Sequence, residues 1–151
     1  MAEHADGLLY LAIMLTGNRH DAEDVVQDVL ISVAKAWPVA KPLAYLRRSV
    51  ANRCVDLTRT RRELVTDTLP ERPYEDPGYL RHEQDSRFFA LVQSLPDRQR
   101  ETLVLRYHAD LDDPTIAKIL GVTRETVRSQ AARGLDKLRA SEAALEREET
   151  S

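Results

Sequence analysis

The 151-residue sequence has little of what stabilises small secreted domains or thiolate metal sites. Its one cysteine, Cys54, rules out an internal disulfide and any site built on paired cysteines. Aromatic residues make up only 5% of the chain, and five glycines with seven prolines are too few for a turn-rich sandwich or barrel. No apolar run approaches the ~20 residues that span a bilayer, and the N-terminus has no pattern of a secretion signal. These features predict a protein of the reducing cytoplasm without membrane insertion.

Charge is distributed unevenly along the chain, although the formal net charge is only −3. Segment 43–62 has six arginines against one aspartate, and segment 124–139 has five basic residues against two acidic ones. Segment 63–85, between them, has seven acidic residues against two arginines and lacks helical periodicity. Two basic segments separated by an acidic linker are typical of a phosphate-binding surface. Each basic segment, taken alone, is equally typical of a solvated helix face.

Apolar residues recur at helical spacing along most of the chain, and no segment alternates in the manner of a strand. The spacing predicts helices over 6–16, 21–37, 43–62, 86–95, 97–109, 113–120 and 124–139. Asp21 and Asp113 are the predicted capping residues of two of them, and Leu30 and Trp37 are placed on an apolar helix face. The sequence therefore predicts an all-α fold of two small helical domains, 1–62 and 86–140. The acidic linker 63–85 joins these domains, and an acidic tail, 141–151, follows them.

The most specific pattern is a helix-turn-helix over 113–133. Ala117 is small where a second helix would cross closely, Gly121 supplies the positive φ of a tight turn, and Val127 would pack back on the first helix. The start of the second helix then presents side chains suited to base edges and phosphates: Arg124, Glu125, Thr126, Arg128 and Ser129. A helical hairpin with a purely structural role is the alternative.

Two further surfaces carry less specific patterns. Tyr45 and Asn52 lie among the arginines of 43–62, a combination suited to melted DNA because charge follows the backbone and aromatic rings stack on bases. The helix over 21–37 has an acidic ridge, formed by Asp21, Asp24 and Asp28 with Gln27 and Ile31. Because acids repel phosphate, this ridge indicates a basic protein partner, although from spacing alone a solvated face is the simpler interpretation.

The sequence contains no recognisable active site. The four histidines are scattered, and there is no phosphate loop, H-E-x-x-H or G-x-S-x-G motif. The acids between 21 and 28 lack the accompanying histidine of carboxylate-bridged metal sites in helical bundles. Cys54 lies among core-facing positions, which predicts a buried apolar residue and not a nucleophile. We therefore expect no enzymatic activity, no cofactor and no bound metal.

Three runs of sequence resemble the conserved regions of a known family. The runs LTGNRHDAEDVVQDVLISVAKAW (15–37) and LAYLRRSVANRCVDLTRTRR (43–62) are similar to region 2 of bacterial extracytoplasmic-function sigma factors. The run SLPDRQRETLVLRYHADLDDPTIAKILGVTRETVRSQAARGLDKLRA (94–140) is similar to their region 4. The similarity is greatest to the actinobacterial branch of the family.

The resemblance implies a transcription initiation factor that binds core RNA polymerase and directs it to promoters. The residues matching the segment that docks on the β′ clamp are Asp21, Glu23, Asp24, Val26, Gln27, Asp28 and Ile31. Those matching contacts to the melted −10 element, including the loop 39–42, are Trp37, Lys41, Tyr45, Arg47, Arg48, Asn52, Arg53 and Arg59. Those matching contacts to the −35 element are Thr115, Arg124, Glu125, Thr126, Arg128, Ser129 and Arg133. The β flap of the polymerase and an anti-sigma factor are the further partners that the resemblance implies.

Two other kinds of protein remain as alternatives from the residues alone. A stand-alone helix-turn-helix repressor or activator would bind palindromic DNA without polymerase and with a steep salt dependence. That function leaves the basic segment 43–62 without a role. A helical metal-dependent enzyme is the other alternative, and the scattered histidines give it almost no support.

Overall fold

The computed structural model describes residues 2–64 and 83–150, and every element in these two stretches is helical. The expected all-α architecture with two domains is confirmed, since each stretch forms a compact unit of its own. Of the predicted linker 63–85, the first two residues lie in a helix and residues 83–85 begin another, while its central part lies outside the described residues. None of the helices in the two described stretches combines the length and apolar character needed to cross a membrane.

Three helices form the N-terminal unit: α1 (Ala2–Thr16), α2 (Arg19–Ala36) and α3 (Pro42–Leu64). Each packs against both of the others. Segment 11–16 of α1 is buried at every position, as expected for a helix whose sides all contribute to a core. The other two helices each bury one stripe at helical spacing, which consists of Ala22, Val25, Val26, Val29 and Val33 from α2 and of Leu46, Val50, Ala51, Cys54, Val55 and Thr58 from α3.

The start of α2 differs from the prediction, because Asn18 caps the helix and Asp21 does not. Asn18 has an extended backbone (φ −141°, ψ 122°), and its side chain accepts a hydrogen bond of 3.0 Å from the Asp21 N–H. Gly17 precedes it with a φ of +71°, which turns the chain between α1 and α2. Asp21 therefore lies inside the first turn of α2, where its carboxylate is available for contacts with other helices.

The apolar face of α2 is narrower than the sequence predicted. Leu30 is 37% exposed and Trp37 is 59% exposed. Trp37 follows the last helical residue with an extended backbone (φ −62°, ψ 140°), and its peptide bond to Pro38 is cis. Helical spacing therefore does not apply to Trp37, and its side chain does not follow the buried stripe.

The C-terminal unit contains α4 (Glu83–Gln93), α5 (Asp97–Leu103), α6 (Asp113–Leu120) and α7 (Arg124–Thr150). α7 packs against each of the other three helices. α5 continues as a π-helical turn, Val104–His108, where the sequence predicted a regular helix to residue 109. The apolar core is formed by Phe89, Val92, Leu95, Leu103, Val104, Leu105, Ile116, Leu120, Val127 and Ala131.

Asp112 caps α6, although the sequence predicted Asp113. The Asp112 side chain accepts a hydrogen bond of 2.9 Å from the Thr115 N–H, and its backbone is extended (φ −80°, ψ 162°). Asp113 is then the first helical residue, with Pro114 directly after it. Either aspartate suits a cap chemically, so the sequence does not distinguish them. The choice of Asp112 leaves the Asp113 carboxylate available to other elements.

The last helix is longer than expected. α7 continues past the predicted end at 139 and through most of the predicted tail 141–151, as far as Thr150. The residues of this extension are mainly alanine, glutamate, leucine and arginine, which favour helix, and no glycine or proline interrupts them. The 27 residues of α7 give it a length of roughly 40 Å.

A glycine allows α7 to approach α5 closely. A Cβ atom at Gly134 would lie 2.8 Å from Leu103 Cδ1 and 3.5 Å from Gln99 Cβ. Leu103 is only 1% exposed, so the surrounding core limits its movement. The packing of these two helices therefore depends on the missing side chain at Gly134.

Gly134→Ala is expected to lower the free energy of unfolding by about 1–3 kcal/mol, because overpacking outweighs the helix propensity of alanine. The matched control is Gly7→Ala in α1, where the position is exposed and an added Cβ meets nothing within 4 Å. This control should raise stability by up to ~1 kcal/mol. Urea denaturation followed by circular dichroism measures both changes. A stabilising effect of both variants would show that α5 and α7 do not pack closely at Gly134.

Candidate nucleic-acid interface

The turn between α6 and α7 has the helix-turn-helix geometry that the sequence predicted. Gly121 ends α6 with a φ of +69°, and its N–H donates to the Ala117 carbonyl oxygen. Thr123 caps α7, since its hydroxyl oxygen accepts a hydrogen bond of 3.1 Å from the Thr126 N–H. Val127 is fully buried. The orientation of α7 is therefore fixed by backbone geometry at its start and by core packing one turn later.

The first turns of α7 expose most of the predicted DNA-contacting side chains. Arg124, Glu125, Arg128, Ser129 and Arg133 are exposed, whereas Thr126 on α7 and Thr115 on α6 are half-buried. The Ser129 hydroxyl donates to the Glu125 carbonyl oxygen at 2.9 Å, and the Thr126 hydroxyl lies 3.0 Å from the Thr123 hydroxyl. The hydroxyls of Thr126 and Ser129 thus form hydrogen bonds within the start of α7. Arg124, Arg128 and Arg133 supply the exposed positive charge of this surface.

A carboxylate that the sequence analysis missed lies next to this surface. Asp113 accepts hydrogen bonds from Arg106, with Nη2 at 2.8 Å from Oδ1 and 2.7 Å from Oδ2, and with Nε at 3.1 Å from Oδ1. Asp113 Oδ2 also lies 3.9 Å from Arg128 Nε. The hydrogen bonds from Arg106 to Asp113 raise the pKa of this guanidinium above its usual value, although partial burial opposes the shift. This cluster could not be predicted from the sequence, because Arg106 lies in the π-helical turn and Asp113 was predicted to be the cap of α6.

The three aspartates of the acidic ridge on α2 lie on the side of the helix next to α3, and part of their charge is neutralised there. Asp21 accepts two hydrogen bonds from Arg61, of which the one from Nη2 to Oδ1 is 2.8 Å long. Only 13% of the Asp21 side chain is exposed, and the bond raises the pKa of the Arg61 guanidinium. Asp28 Oδ2 lies 3.5 Å from Arg53 Nη1. These pairs tie the end of α3 to the start of α2 and the middle of α3 to the middle of α2.

The remaining residues predicted to bind polymerase differ in their exposure. Glu23, Asp24, Gln27, Asp28 and Ile31 are exposed on α2. Val26, by contrast, is only 8% exposed and belongs to the core, which corrects its placement on a binding surface. Val26 and Asp21 therefore hold the helix in place, and the exposed residues form its outer face.

An open groove of about 560 Å³ runs between α2 and α3. It is lined by Asp21, Asp24, Val25 and Asp28 from α2 and by Arg53, Asp56, Leu57, Thr60 and Arg61 from α3. Arg59, which is exposed beside this groove on α3, pairs with Asp56 at 2.5 Å. Two arginines predicted to contact DNA, Arg53 and Arg59, are thus within ion-pair distance of aspartates in the groove lining.

The other residues predicted to contact the −10 element lie in the loop after α2 and in the first half of α3. Trp37 and Tyr45 are exposed aromatic side chains, at 59% and 46%. Lys41 and Arg48 are exposed, and Arg47 and Asn52 are half-buried. Exposed aromatic rings near basic side chains are suited to stacking on unpaired bases while the charges follow the phosphates.

Comparison with known proteins gives two family matches and several relatives. The Sigma-70 region 2 model matches residues 1–63, and the Sigma-70 region 4 model matches residues 91–140. The RNA polymerase sigma-E factor of Streptomyces coelicolor is 31% identical over 140 residues, which cover 89% of this chain and 78% of that protein. This chain belongs to the extracytoplasmic-function sigma factors. The sigma factor SigE of Mycolicibacterium smegmatis is 36% identical over 148 residues, and the matched part covers 91% of this chain and 58% of that protein.

Solved structures share the fold of this sigma factor. The sigma factor RpoE of Bartonella quintana, solved with the anti-sigma factor NepR, has a TM-score of 0.68 at 23% identity and covers 92% of this chain and 91% of that one. CnrH, solved with the cytosolic domain of CnrY, has a TM-score of 0.61 at 24% identity and covers 95% of this chain and 84% of that one. At such identities these similarities concern the fold alone.

The single cysteine of the sigma factor is a core residue, as its position in the sequence predicted. Cys54 is fully buried, and burial raises the pKa of its thiol, with a further contribution from the negative charge of Asp21. The thiolate form is therefore disfavoured. Over residues 2–64 and 83–150, no three His, Cys, Asp or Glu side chains are grouped so that they could hold a metal ion.

The Asp21–Arg61 pair gives a stability prediction for the sigma factor. Asp21→Asn is expected to lower the free energy of unfolding by about 1 kcal/mol, because it weakens two charge-assisted hydrogen bonds at a largely buried carboxylate. Asp24→Asn is the matched control, since its side chain is 62% exposed and lies 3.6 Å from an exposed histidine, His20. The control should change stability very little. Urea denaturation at neutral pH compares them, and equal losses would contradict a structural role specific to Asp21.

Proposed function

We propose that this sigma factor binds core RNA polymerase and directs it to promoters, with the −35 element recognised as duplex and the −10 element as melted DNA. The observation that carries this proposal is the helix-turn-helix of the C-terminal unit, whose second helix exposes three arginines in its first turns. RNA synthesis belongs to the polymerase. We therefore infer no enzymatic activity and no cofactor for the sigma factor, and we place its action in the cytoplasm.

We propose that the two units bind different sites on the polymerase and the promoter. We assign 1–62 to polymerase binding and to the −10 element, 63–85 to a linker, and 86–140 to the −35 element and the β flap. The family matches over 1–63 and 91–140 support this division. The stretch of α7 after residue 140 extends beyond the region 4 match, and we assign it no contact with DNA.

Recognition of the −35 element is proposed to use the N-terminal turns of α7 in the major groove. Arg124, Arg128 and Arg133 have the length and the donors to reach guanine edges and phosphates. Glu125 is exposed beside them and can accept a hydrogen bond from a cytosine amino group. We expect the hydroxyl groups of Thr115, Thr126 and Ser129 to contact phosphate or the edge of the groove.

Arg128→Ala is expected to weaken −35 recognition by about 1–3 kcal/mol and to relax selectivity at one base position. Arg139→Ala is the matched control, because Arg128 and Arg139 are 74% and 75% exposed on the same helix and each lies 3.9 Å from an aspartate. In vitro transcription from promoters with substituted −35 elements measures the selectivity. If both variants keep the wild-type selectivity, Arg128 does not read the element.

Recognition of the −10 element is proposed to use the loop after α2 and the exposed side of α3. Trp37 and Tyr45 supply stacking surfaces, and Lys41, Arg47, Arg48 and Asn52 supply charge and hydrogen bonds. Arg53 and Arg59 each lie within ion-pair distance of an aspartate, and we expect their other exposed N–H groups to contact phosphate.

Polymerase binding is proposed to use the exposed acidic face of α2, formed by Glu23, Asp24, Gln27, Asp28 and Ile31. The face combines negative charge with one exposed apolar side chain, Ile31 at 48%, and this suits a basic partner helix such as those of the β′ clamp. Asp21 and Val26 act indirectly, because they hold α2 in position.

Asp24→Arg is expected to abolish binding of core RNA polymerase and to leave the fold intact, because the residue is exposed and reversal of its charge repels a basic partner. Glu142→Arg is the matched control, since it makes the same charge change at an exposed position of α7 beyond the region 4 match. Gel filtration with core polymerase from an actinobacterium measures co-elution, and circular dichroism checks the fold.

Wild-type protein should co-elute with the polymerase at one-to-one stoichiometry. A wild-type protein that does not associate, and that binds a palindromic DNA site tightly by itself, would instead indicate a stand-alone regulator. Normal co-elution of the Asp24→Arg variant would refute the assignment of the acidic face.

We also infer that an anti-sigma factor regulates this protein. The structures of the Bartonella quintana relative and of CnrH each contain a partner of their own, the anti-sigma factor NepR and the cytosolic domain of CnrY. A partner of this class would compete with polymerase if it covered the acidic face of α2 or the arginines of α7.

A further inference from the structure

A chain of charged groups connects three elements of the C-terminal unit. Arg106 lies in the π-helical turn, Asp113 is the first residue of α6, and Arg128 lies in the second turn of α7. Arg106 donates three hydrogen bonds to the Asp113 carboxylate, at 2.7 to 3.1 Å. The Oδ2 atom of this carboxylate then lies 3.9 Å from Arg128 Nε. The charge of Asp113 is thus shared between a partly buried arginine and one on the DNA-reading surface.

We propose that Asp113 is a positioning residue for promoter recognition: it attracts the Nε side of Arg128, so that both Nη groups face a guanine of the −35 element. This inference rests on the proposed function of α7, and it adds a residue that touches no DNA itself. It also names the base that Arg128 reads.

The chemistry of the guanidinium group gives the reason for guanine. A guanidinium has five N–H donors in a plane, one on Nε and two on each Nη. With Nε directed at Asp113, the two Nη groups remain together at the far end of the side chain. Guanine presents two acceptors, O6 and N7, in the major groove, and a pair of parallel N–H donors matches them. An adenine offers an acceptor and a donor, which this pair does not match.

The Asp113 carboxylate is a suitable anchor because it is itself held firmly. Its side chain is 21% exposed, and both of its oxygens accept hydrogen bonds from Arg106, whose side chain is 28% exposed. Its place in the first turn of α6 puts the negative charge at the favourable end of the helix dipole. The side chain of Arg128, at 74% exposed, has much more freedom.

The distance of 3.9 Å between Asp113 and Arg128 also fits an orienting role. At this separation the carboxylate attracts the guanidinium without forming a short hydrogen bond that a base would have to break. A side chain whose rotamers are already restricted loses less conformational entropy when it binds. Asp113 would therefore lower the entropy cost of fixing Arg128 on the base. Loss of the anchor should therefore reduce discrimination without abolishing DNA binding.

The neighbouring aspartate provides a matched control. Asp112 caps α6 through the Thr115 N–H, and asparagine at this position keeps the cap. Asp112→Asn therefore removes the same charge, one residue away and from the same helix end, as Asp113→Asn does. Any general increase in DNA affinity from the lost negative charge will be common to both variants, whereas loss of the anchor is specific to Asp113→Asn.

The first experiment measures promoter selectivity with the 151-residue protein and core polymerase from an actinobacterium. A promoter library with a randomised −35 element is transcribed in vitro, and the transcripts are sequenced.

Arg128→Ala should identify one position at which guanine preference is lost. Asp113→Asn should reduce that same preference by about two- to fivefold, and have no further effect in the Arg128→Ala background. Asp112→Asn should retain the wild-type preference. Arg128→Lys should lose the preference even with Asp113 intact, because lysine has no paired donors.

The second experiment does not depend on polymerase or promoters. Nitrogen-15 relaxation of the arginine Nε–H groups in the free protein should show that Asp113→Asn makes Arg128 more mobile, with Arg133 as an internal reference and Asp112→Asn as the control. Thermal unfolding of each variant identifies any general loss of stability.

The outcomes separate the positioning role from the proposed function. Equal behaviour of Asp113→Asn and Asp112→Asn in both experiments would overturn the positioning role, as would increased mobility of Arg128 without any change in selectivity. A preference for a base other than guanine at the position that Arg128 reads would do the same. If the wild-type protein shows no −35 preference at all, the proposed function itself fails. The wild-type measurement alone gives this result, so it cannot be confused with a failure of the positioning role.

Discussion

Three aspartates of this sigma factor, Asp21, Asp28 and Asp113, each lie within ion-pair distance of an arginine on a neighbouring element, and these pairs determine which charges remain for binding. Each unit is small, and a small domain buries a limited apolar core. Side chains at the edge of the core therefore contribute to helix packing and to the binding surfaces at the same time. Where an arginine binds a carboxylate through both oxygens, as at Asp21 and Asp113, the carboxylate is fixed in place and only part of its charge remains for other groups.

The ion pairs also connect surfaces that are assigned to different partners. Asp28 belongs to the proposed polymerase face and Arg53 to the proposed −10 face, and the two side chains lie 3.5 Å apart across the groove between α2 and α3. A basic partner that neutralises Asp28 leaves Arg53 with a greater share of its positive charge for phosphate. The arrangement is therefore consistent with stronger −10 contacts in the polymerase complex than in the free protein.

Local pattern was sufficient to predict most helices, the turn at Gly121 and the burial of Cys54, since these depend on residues close together in the sequence. Small shifts of the caps, from Asp21 to Asn18 and from Asp113 to Asp112, arose because several adjacent residues can accept the same hydrogen bond. The ion pairs formed by the displaced aspartates could not be predicted, because their arginines come from other elements. The π-helical turn Val104–His108 could not be predicted either, because it depends on packing between helices. Exposure of Trp37 followed from the end of α2 at Ala36, a boundary that the spacing alone placed one residue too late.

The single long helix α7 has a mechanical consequence. Gly134 is a point of close approach to α5, and it lies ten residues from Arg124 and sixteen from Thr150. At 1.5 Å per residue, these spacings correspond to arms of roughly 15 Å and 24 Å. The contact at Gly134 thus divides α7 into a shorter segment that carries Arg124, Arg128 and Arg133 and a longer segment that ends in acidic residues. The Thr123 cap and the buried side chain of Val127 hold the first segment, so a force applied to the acidic end acts against these contacts before it can move the arginines.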